Sequence, residues 1–148
     1  MGLVEQLIGL QVWIDTAPVI YFVEKHPTYL TIVRPMFRAI ERGDLEAMTS
    51  TITLLEVLVH PFRMNNTPLA EKYRAILLDS GHFTTFGIFH DISEKAARLR
   101  AQHAIKTPDA LQIASALVHG AKKFVTNDAD LKNITEIDIL VIDDFITP

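Results

Sequence analysis

Residues 106–117, Lys106-Thr107-Pro108-Asp109-Ala110-Leu111-Gln112-Ile113-Ala114-Ser115-Ala116-Leu117, constrain this chain more than any other stretch, together with Phe124-Val125-Thr126-Asn127-Asp128 just beyond. The first segment reads as a helix: Thr107 is placed to cap it, Pro108 suits its first position and Gly120 its far end. Asp109 then falls in the first turn, where free backbone N–H groups favour negative charge. The second segment reads as a short buried strand that ends in an acid. A helix start and a strand end, each carrying an Asp, pose the question of whether further acids reach the same place.

The remainder of the chain repeats that alternation. Val12-Trp13-Ile14 is an apolar run of strand type ending in Asp15, and Thr16-Ala17-Pro18 reads as the entry to a helix over residues 19–25 that His26-Pro27 breaks. Residues 29–42 predict a second helix with Val33, Met36, Phe37 and Ile40 on its buried face, kinked or delayed by Pro35. Residues 47–51 predict a strand. Thr53-Leu54-Leu55-Glu56 has the form of a capping box and predicts a helix that Pro61 stops. Thr67-Pro68 opens another helix, with Leu69, Tyr73, Ile76 and Leu77 inward, and Ser80-Gly81 closes it. A strand over 83–89, a helix over 93–103, the Asp109 helix, a strand over 123–126, a helical turn over 128–132 and a strand over 137–142 complete the reading. Alternating strands and helices imply an α/β fold, a mostly parallel sheet with helices on both sides. With no repeat, low-complexity segment or linker, residues 1–148 are expected to form one domain.

Composition narrows the function classes. Apolar residues at 49% and charged residues at 22% describe a globular chain, and the absence of Cys excludes disulfides and thiolate metal sites. Met1-Gly2-Leu3-Val4-Glu5 lacks the basic start of a signal peptide, and no uncharged apolar run approaches the ~18 residues of a membrane span. The expectation is therefore a cytoplasmic protein with no membrane partner. A net charge of −4 argues against nucleic acid as a partner, unless several of the 18 acids are collected around a metal that cancels them locally.

Four acids occupy comparable positions. Asp15 follows the first strand, Glu56 falls in the first helical turn after the second, Asp109 opens a helix leading to a later strand, and Asp128 follows that strand. In open α/β sheets the carboxyl ends of the strands line one edge and sites form there. Each acid alone is explicable as a helix-terminal residue. Four of them at strand–helix junctions predict one crevice. Crowded carboxylates repel one another, and a hard divalent cation removes the conflict. Oxygen-only ligands favour magnesium or manganese over zinc, and the chemistry implied is metal-dependent phosphodiester hydrolysis. A phospho-aspartate phosphohydrolase would need a second acid two residues after Asp15, where Ala17 stands. A receiver domain would need paired acids beside Asp15 and a Lys after a late strand, and neither is evident.

Over residues 12–142 the chain resembles the PIN-domain ribonucleases, specifically the VapC-type toxins of toxin–antitoxin pairs. The resemblance rests on Val12-Trp13-Ile14-Asp15-Thr16, Ser50-Thr51-Ile52-Thr53-Leu54-Leu55-Glu56-Val57, Pro108-Asp109-Ala110-Leu111-Gln112-Ile113-Ala114 and Phe124-Val125-Thr126-Asn127-Asp128, in that order. It implies a five-stranded parallel sheet between two helical layers, Mg2+- or Mn2+-dependent cleavage of an RNA substrate, a homodimer, and inhibition by a small antitoxin protein. It also implies that Asp15, Glu56, Asp109 and Asp128 are the catalytic, metal-binding acids. Thr16, Thr126 and Asn127 would support them, with Asp130 as an outer acid. The chain departs from the family where Ala17-Pro18 replaces a frequent Asn, and where an apolar extension precedes the first acid. A housekeeping RNA-processing nuclease of this fold and a catalytically inert partner-binding module remain open alternatives.

Other residues carry blander expectations. Arg34, Arg38 and Arg42 line one helix face, which reads as solvated. Lys122-Lys123 lies at the far end of the strand leading to Asp128. The six His residues show no ligand spacing. Tyr21, Phe22, Phe37, Phe83 and Phe89 read as packing residues.

Overall fold

The computed structural model describes residues 1–147. Five strands form one sheet: β1 Gln11–Ile14, β2 Glu46–Ser50, β3 Phe83–Phe86, β4 Lys123–Thr126 and β5 Asp138–Val141, in the order β3-β2-β1-β4-β5. All four pairings are parallel, with Val12 opposite both Ala47 and Lys123. The helices are α1 Thr16–Val23, α2 Leu30–Arg42, α3 Thr51–Arg63, α4 Thr67–Leu78, α5 His90–Gln102 and α6 Thr107–Val118.

Side-chain alternation along the strands divides the interior in two. Val12, Ile14, Ala47 and Val125 face one core, filled from the helices by Val19, Val33, Met36, Phe37, Ile40, Val57, Tyr73 and Leu77. Trp13, Met48 and Phe124 face the other, filled by Ile92, Ala96 and Leu99 of α5 and Ala110, Ile113 and Ala114 of α6. The architecture is the three-layer α/β/α sandwich the sequence implies. The chain winds outward from β1 through β2 to β3, then crosses to the other side of β1 for β4 and β5. The crossing makes the gap between β1 and β4 the switch point, where the carboxyl ends of strands open a crevice. No helix among the described residues is long and apolar enough to cross a membrane.

Several local readings are corrected. Helix α3 begins at Thr51, capped by Ser50, whose hydroxyl accepts the N–H of Ile52 at 3.2 Å; Thr53 is a buried first-turn residue and not the cap of a capping box. Glu56 consequently lies in the second turn. Pro61 does not stop α3, which runs to Arg63, and the break comes at Asn65, with φ of 51°. Helix α2 also runs unbroken through Pro35 from Leu30, because the carbonyl left without a partner is that of exposed Thr31 in the first turn. Lys106, not Thr107, is the N-cap of α6, and no side chain caps it. β3 ends at Phe86 rather than 89, and α5 starts at His90 rather than 93. Phe89 is 71% exposed and packs no core.

Candidate active site

Asp15 directly follows β1 and serves as N-cap of α1. One of its carboxylate oxygens accepts the Thr16 N–H at 2.8 Å, and the other accepts the Thr126 hydroxyl at 2.8 Å from the end of the neighbouring β4. Thr126 Oγ1 in turn accepts the Asp128 N–H at 3.1 Å, which fixes the turn after β4. Asp128 caps the short helical turn Ala129–Asn133 by accepting the Asp130 N–H at 3.0 Å. Thr16 donates its hydroxyl to Glu56 at 2.6 Å, linking α1 to α3. Asp109 arrives from the first turn of α6.

All four carboxylates line one crevice of about 310 Å³, together with Thr16, Ala17, Ile20, Tyr21, Thr126 and Asn127. Larger hollows exist, of about 710 Å³ beside Lys122 and Glu136 and about 690 Å³ between α2 and α4, but neither gathers a comparable set of acids. Volume here is a poorer guide than chemistry. Asn127 braces the rim: its amide donates to the Tyr21 hydroxyl at 3.0 Å and its carbonyl accepts the Asp143 N–H at 2.9 Å. Asp130 gives its backbone N–H to Asp128 and does not itself line the crevice.

The crevice is electrostatically unbalanced. None of the four acids forms an ion pair among the described residues. Burial pushes Asp15 up to about 6, with Asp109 and Glu56 adding repulsion, against the hydrogen bonds from Thr126 and Thr16. Asp109 is also raised, by burial first and then by Asp128 and Glu56, with Lys106 partly offsetting them. A negatively charged, oxygen-only set of donors at the switch point suits a hard divalent cation. The carboxylates are gathered but not closed into a cage: no three His, Asp or Glu side chains among the described residues stand close enough to hold an ion as they are.

Sequence reasoning overlooked the polar layer beneath these acids. Thr53 and Gln112 are buried between α3 and α6, and Thr49 and Ser50 complete the layer. The available signal was Gln112 itself, a lone amide within the apolar run Ala110-Leu111-Gln112-Ile113-Ala114. Tyr21 was read only as packing, yet it lines the crevice.

A family model described as PIN domain matches residues 12–137, a span that contains all four acids. The chain belongs to the PIN-domain family. Solved structures similar to this PIN domain include VapBC2 from Rickettsia felis bound to a DNA fragment from its promoter, at 17% identity and a TM-score of 0.70, covering 89% of this chain and 98% of that one. Mycobacterium tuberculosis VapC20, described as a Sarcin-Ricin loop cleaving toxin, is 17% identical with a TM-score of 0.69, covering 86% and 98%. A toxin-antitoxin complex from Klebsiella pneumoniae is 23% identical with a TM-score of 0.67, covering 88% and 97%. No curated protein sequence matches the chain.

Proposed function

We propose that this PIN domain, a single unit over residues 1–148, is a Mg2+- or Mn2+-dependent endoribonuclease acting in the cytoplasm as the toxin of a toxin–antitoxin pair. The observation that carries the proposal is the meeting of Asp15, Glu56, Asp109 and Asp128 in one crevice without a counter-charge. The similarity in fold to a VapC described as a Sarcin-Ricin loop cleaving toxin is consistent with RNA as the substrate.

The same four acids are the residues that would hold the ion. When bound, a hard cation supplies Lewis-acid stabilisation of the phosphoryl group and makes water more acidic. The chain's own contribution is orientation. Thr16 N–H and Thr126 Oγ1 hold both oxygens of Asp15 in place, and Thr16 Oγ1 aims Glu56. In the metal-free crevice burial and crowding push Asp15 up, and a cation held by these carboxylates would favour their charged forms. Ala17 and Ile20 form the apolar part of the wall.

The partners follow from the same reading. Leu55, Val59 and Phe62 form an exposed apolar stripe on α3 at i, i+4 and i+7, with exposed Met64 just beyond, on the helix that carries Glu56. Such a stripe gives a small antitoxin a surface from which to cover the crevice, and the active unit is a homodimer. The experiment is cleavage of cellular RNA by the purified protein with Mg2+, with Mn2+ and with chelator, repeated for Asp15→Ala and Asp128→Ala. Metal-dependent cleavage lost in both folded variants is expected. Cleavage that survives chelation, or either substitution, overturns the proposal.

A further inference from the structure

Beneath the acids, Gln112 joins the two helices that present Glu56 and Asp109. It is 1% exposed and makes three side-chain hydrogen bonds. Its carbonyl oxygen accepts Trp13 Nε1 at 3.2 Å and Ser50 Oγ at 2.7 Å, and its amide nitrogen donates to Thr53 Oγ1 at 2.7 Å. The orientation of this amide is chemically fixed, because an indole N–H only donates and so must face the oxygen. Ser50 is the N-cap of α3 and Thr53 its buried first-turn hydroxyl, so one side chain on α6 grips the start of α3 at two points.

The spacing converts that grip into a spacing of carboxylates. Asp109 lies one turn before Gln112 on α6, and Glu56 one turn after Thr53 on α3. Both acids are thus one helical turn from a single buried hydrogen bond. Thr53 Oγ1 also lies 2.8 Å from Thr49 Oγ1 and 3.3 Å from Thr16 Oγ1, whose proton goes to Glu56, while Thr49 donates to the carbonyl of Ile14 beside Asp15. The layer therefore touches the supports of three of the four acids.

We propose that Gln112 is a positioning residue, which sets the separation of Glu56 and Asp109 by bonding α6 to Ser50 and Thr53 of α3. Its consequence for metal affinity rests on the metal-nuclease reading above; its consequence for geometry does not. Two variants break the grip from opposite sides: Gln112→Met keeps the volume and removes the amide, and Thr53→Val keeps the shape and removes the hydroxyl. Side-chain carboxyl carbon resonances of Glu56 and Asp109, recorded by NMR on the metal-free protein, are expected to shift in both variants. Thr53→Ser, which keeps the hydroxyl, restores them.

Titration with Mn2+ alone, followed by the electron paramagnetic resonance of the free ion, is expected to show roughly 10–100-fold weaker binding in Gln112→Met and Thr53→Val, the loss typical when the supports of metal ligands are removed. Unmoved Glu56 and Asp109 resonances in a folded variant overturn the proposal, as does a lower melting temperature accompanied by unchanged Mn2+ affinity. A wild-type protein that binds no Mn2+ overturns the metal reading alone, and the resonances then still decide the role of Gln112.

Discussion

The two edges of the sheet treat the same chemistry in opposite ways. At the edge where the strands begin, acids have partners: Asp138 pairs with Lys123 across β4 and β5, Glu46 meets His82 at 2.7 Å, and Glu136 meets His103 at 3.0 Å. At the edge where the strands end, Asp15, Glu56, Asp109 and Asp128 share one crevice and no ion pair among the described residues. The difference lies in what surrounds the acids rather than in how many there are. At the first edge each of these acids has a partner within the fold, a lysine for Asp138 and a histidine ring nitrogen for Glu46 and Glu136. At the second, burial and mutual repulsion raise Asp15 and Asp109, and the favourable answer to that charge has to come from outside the chain.

One matched pair of substitutions tests the contrast most severely. Asp109→Asn and Asp138→Asn make the same chemical change at opposite edges. The first is expected to lower RNA cleavage on the order of 10²–10³-fold, the usual cost of removing one preorganised charge-stabilising group. The second leaves the cleavage rate unchanged. Equal losses in a gel-based cleavage assay would mean that the two edges do not differ in function.

A smaller effect separates the edges by stability. A cation bound to the folded chain alone, at about 100 times its dissociation constant, adds about 2.7 kcal/mol. Millimolar Mn2+ should therefore raise the melting temperature by roughly 5–10 °C, and Asp128→Asn should remove most of that rise.

Asp15 makes a further distinction without metal. Folding raises its pKa from 3.8 to about 6, so between those values the folded chain holds a proton that the unfolded chain has released. The stabilisation is complete below pH 3.8 and lost once the pH passes 6. Melting temperatures of the metal-free protein should fall from pH 4 to pH 7 relative to those of Asp15→Asn. By pH 7 the variant should be the more stable by up to about 2 kcal/mol, allowing for the partial exposure of the group. A constant difference between the two curves would place the charge of Asp15 in a well-solvated setting.

The order of elements was legible in the sequence because patterning reports it directly: Val12-Trp13-Ile14 and Phe124-Val125 are buried runs, and acids follow each. The family was legible because its segments recur in order. What was hidden depended on contacts between distant residues. The capping-box form of Thr53-Leu54-Leu55-Glu56 points to Thr53 as the cap of α3, but β2 ends at Ser50, and Ser50 takes that place. The prolines at 35 and 61 look like breaks, but both helices run through them, and at Pro35 the carbonyl left unbonded is that of exposed Thr31. Asp130 shares a turn with Asp128, yet it gives that acid its backbone N–H and does not itself line the crevice. Gln112 could be noticed but not interpreted, since its partners are 99, 62 and 59 residues away.

The smallest expected effect concerns the paired edge. Lys123 and Asp138 start adjacent strands in register, and the Asp138 side chain is 53% exposed. Exposed pairs gain little Coulomb energy in water and contribute about 0–1 kcal/mol. Asp138→Asn should therefore lower the melting temperature by no more than about 4 °C, and by less at high salt, where screening weakens the wild-type pair itself. The change should be the same with and without Mn2+, because the substituted residue is remote from the crevice. A Mn2+-dependent response to Asp138→Asn would tie the two edges together and break the comparison. A salt-insensitive loss would point instead to packing of the Lys123 stem against the sheet as the contribution of that corner.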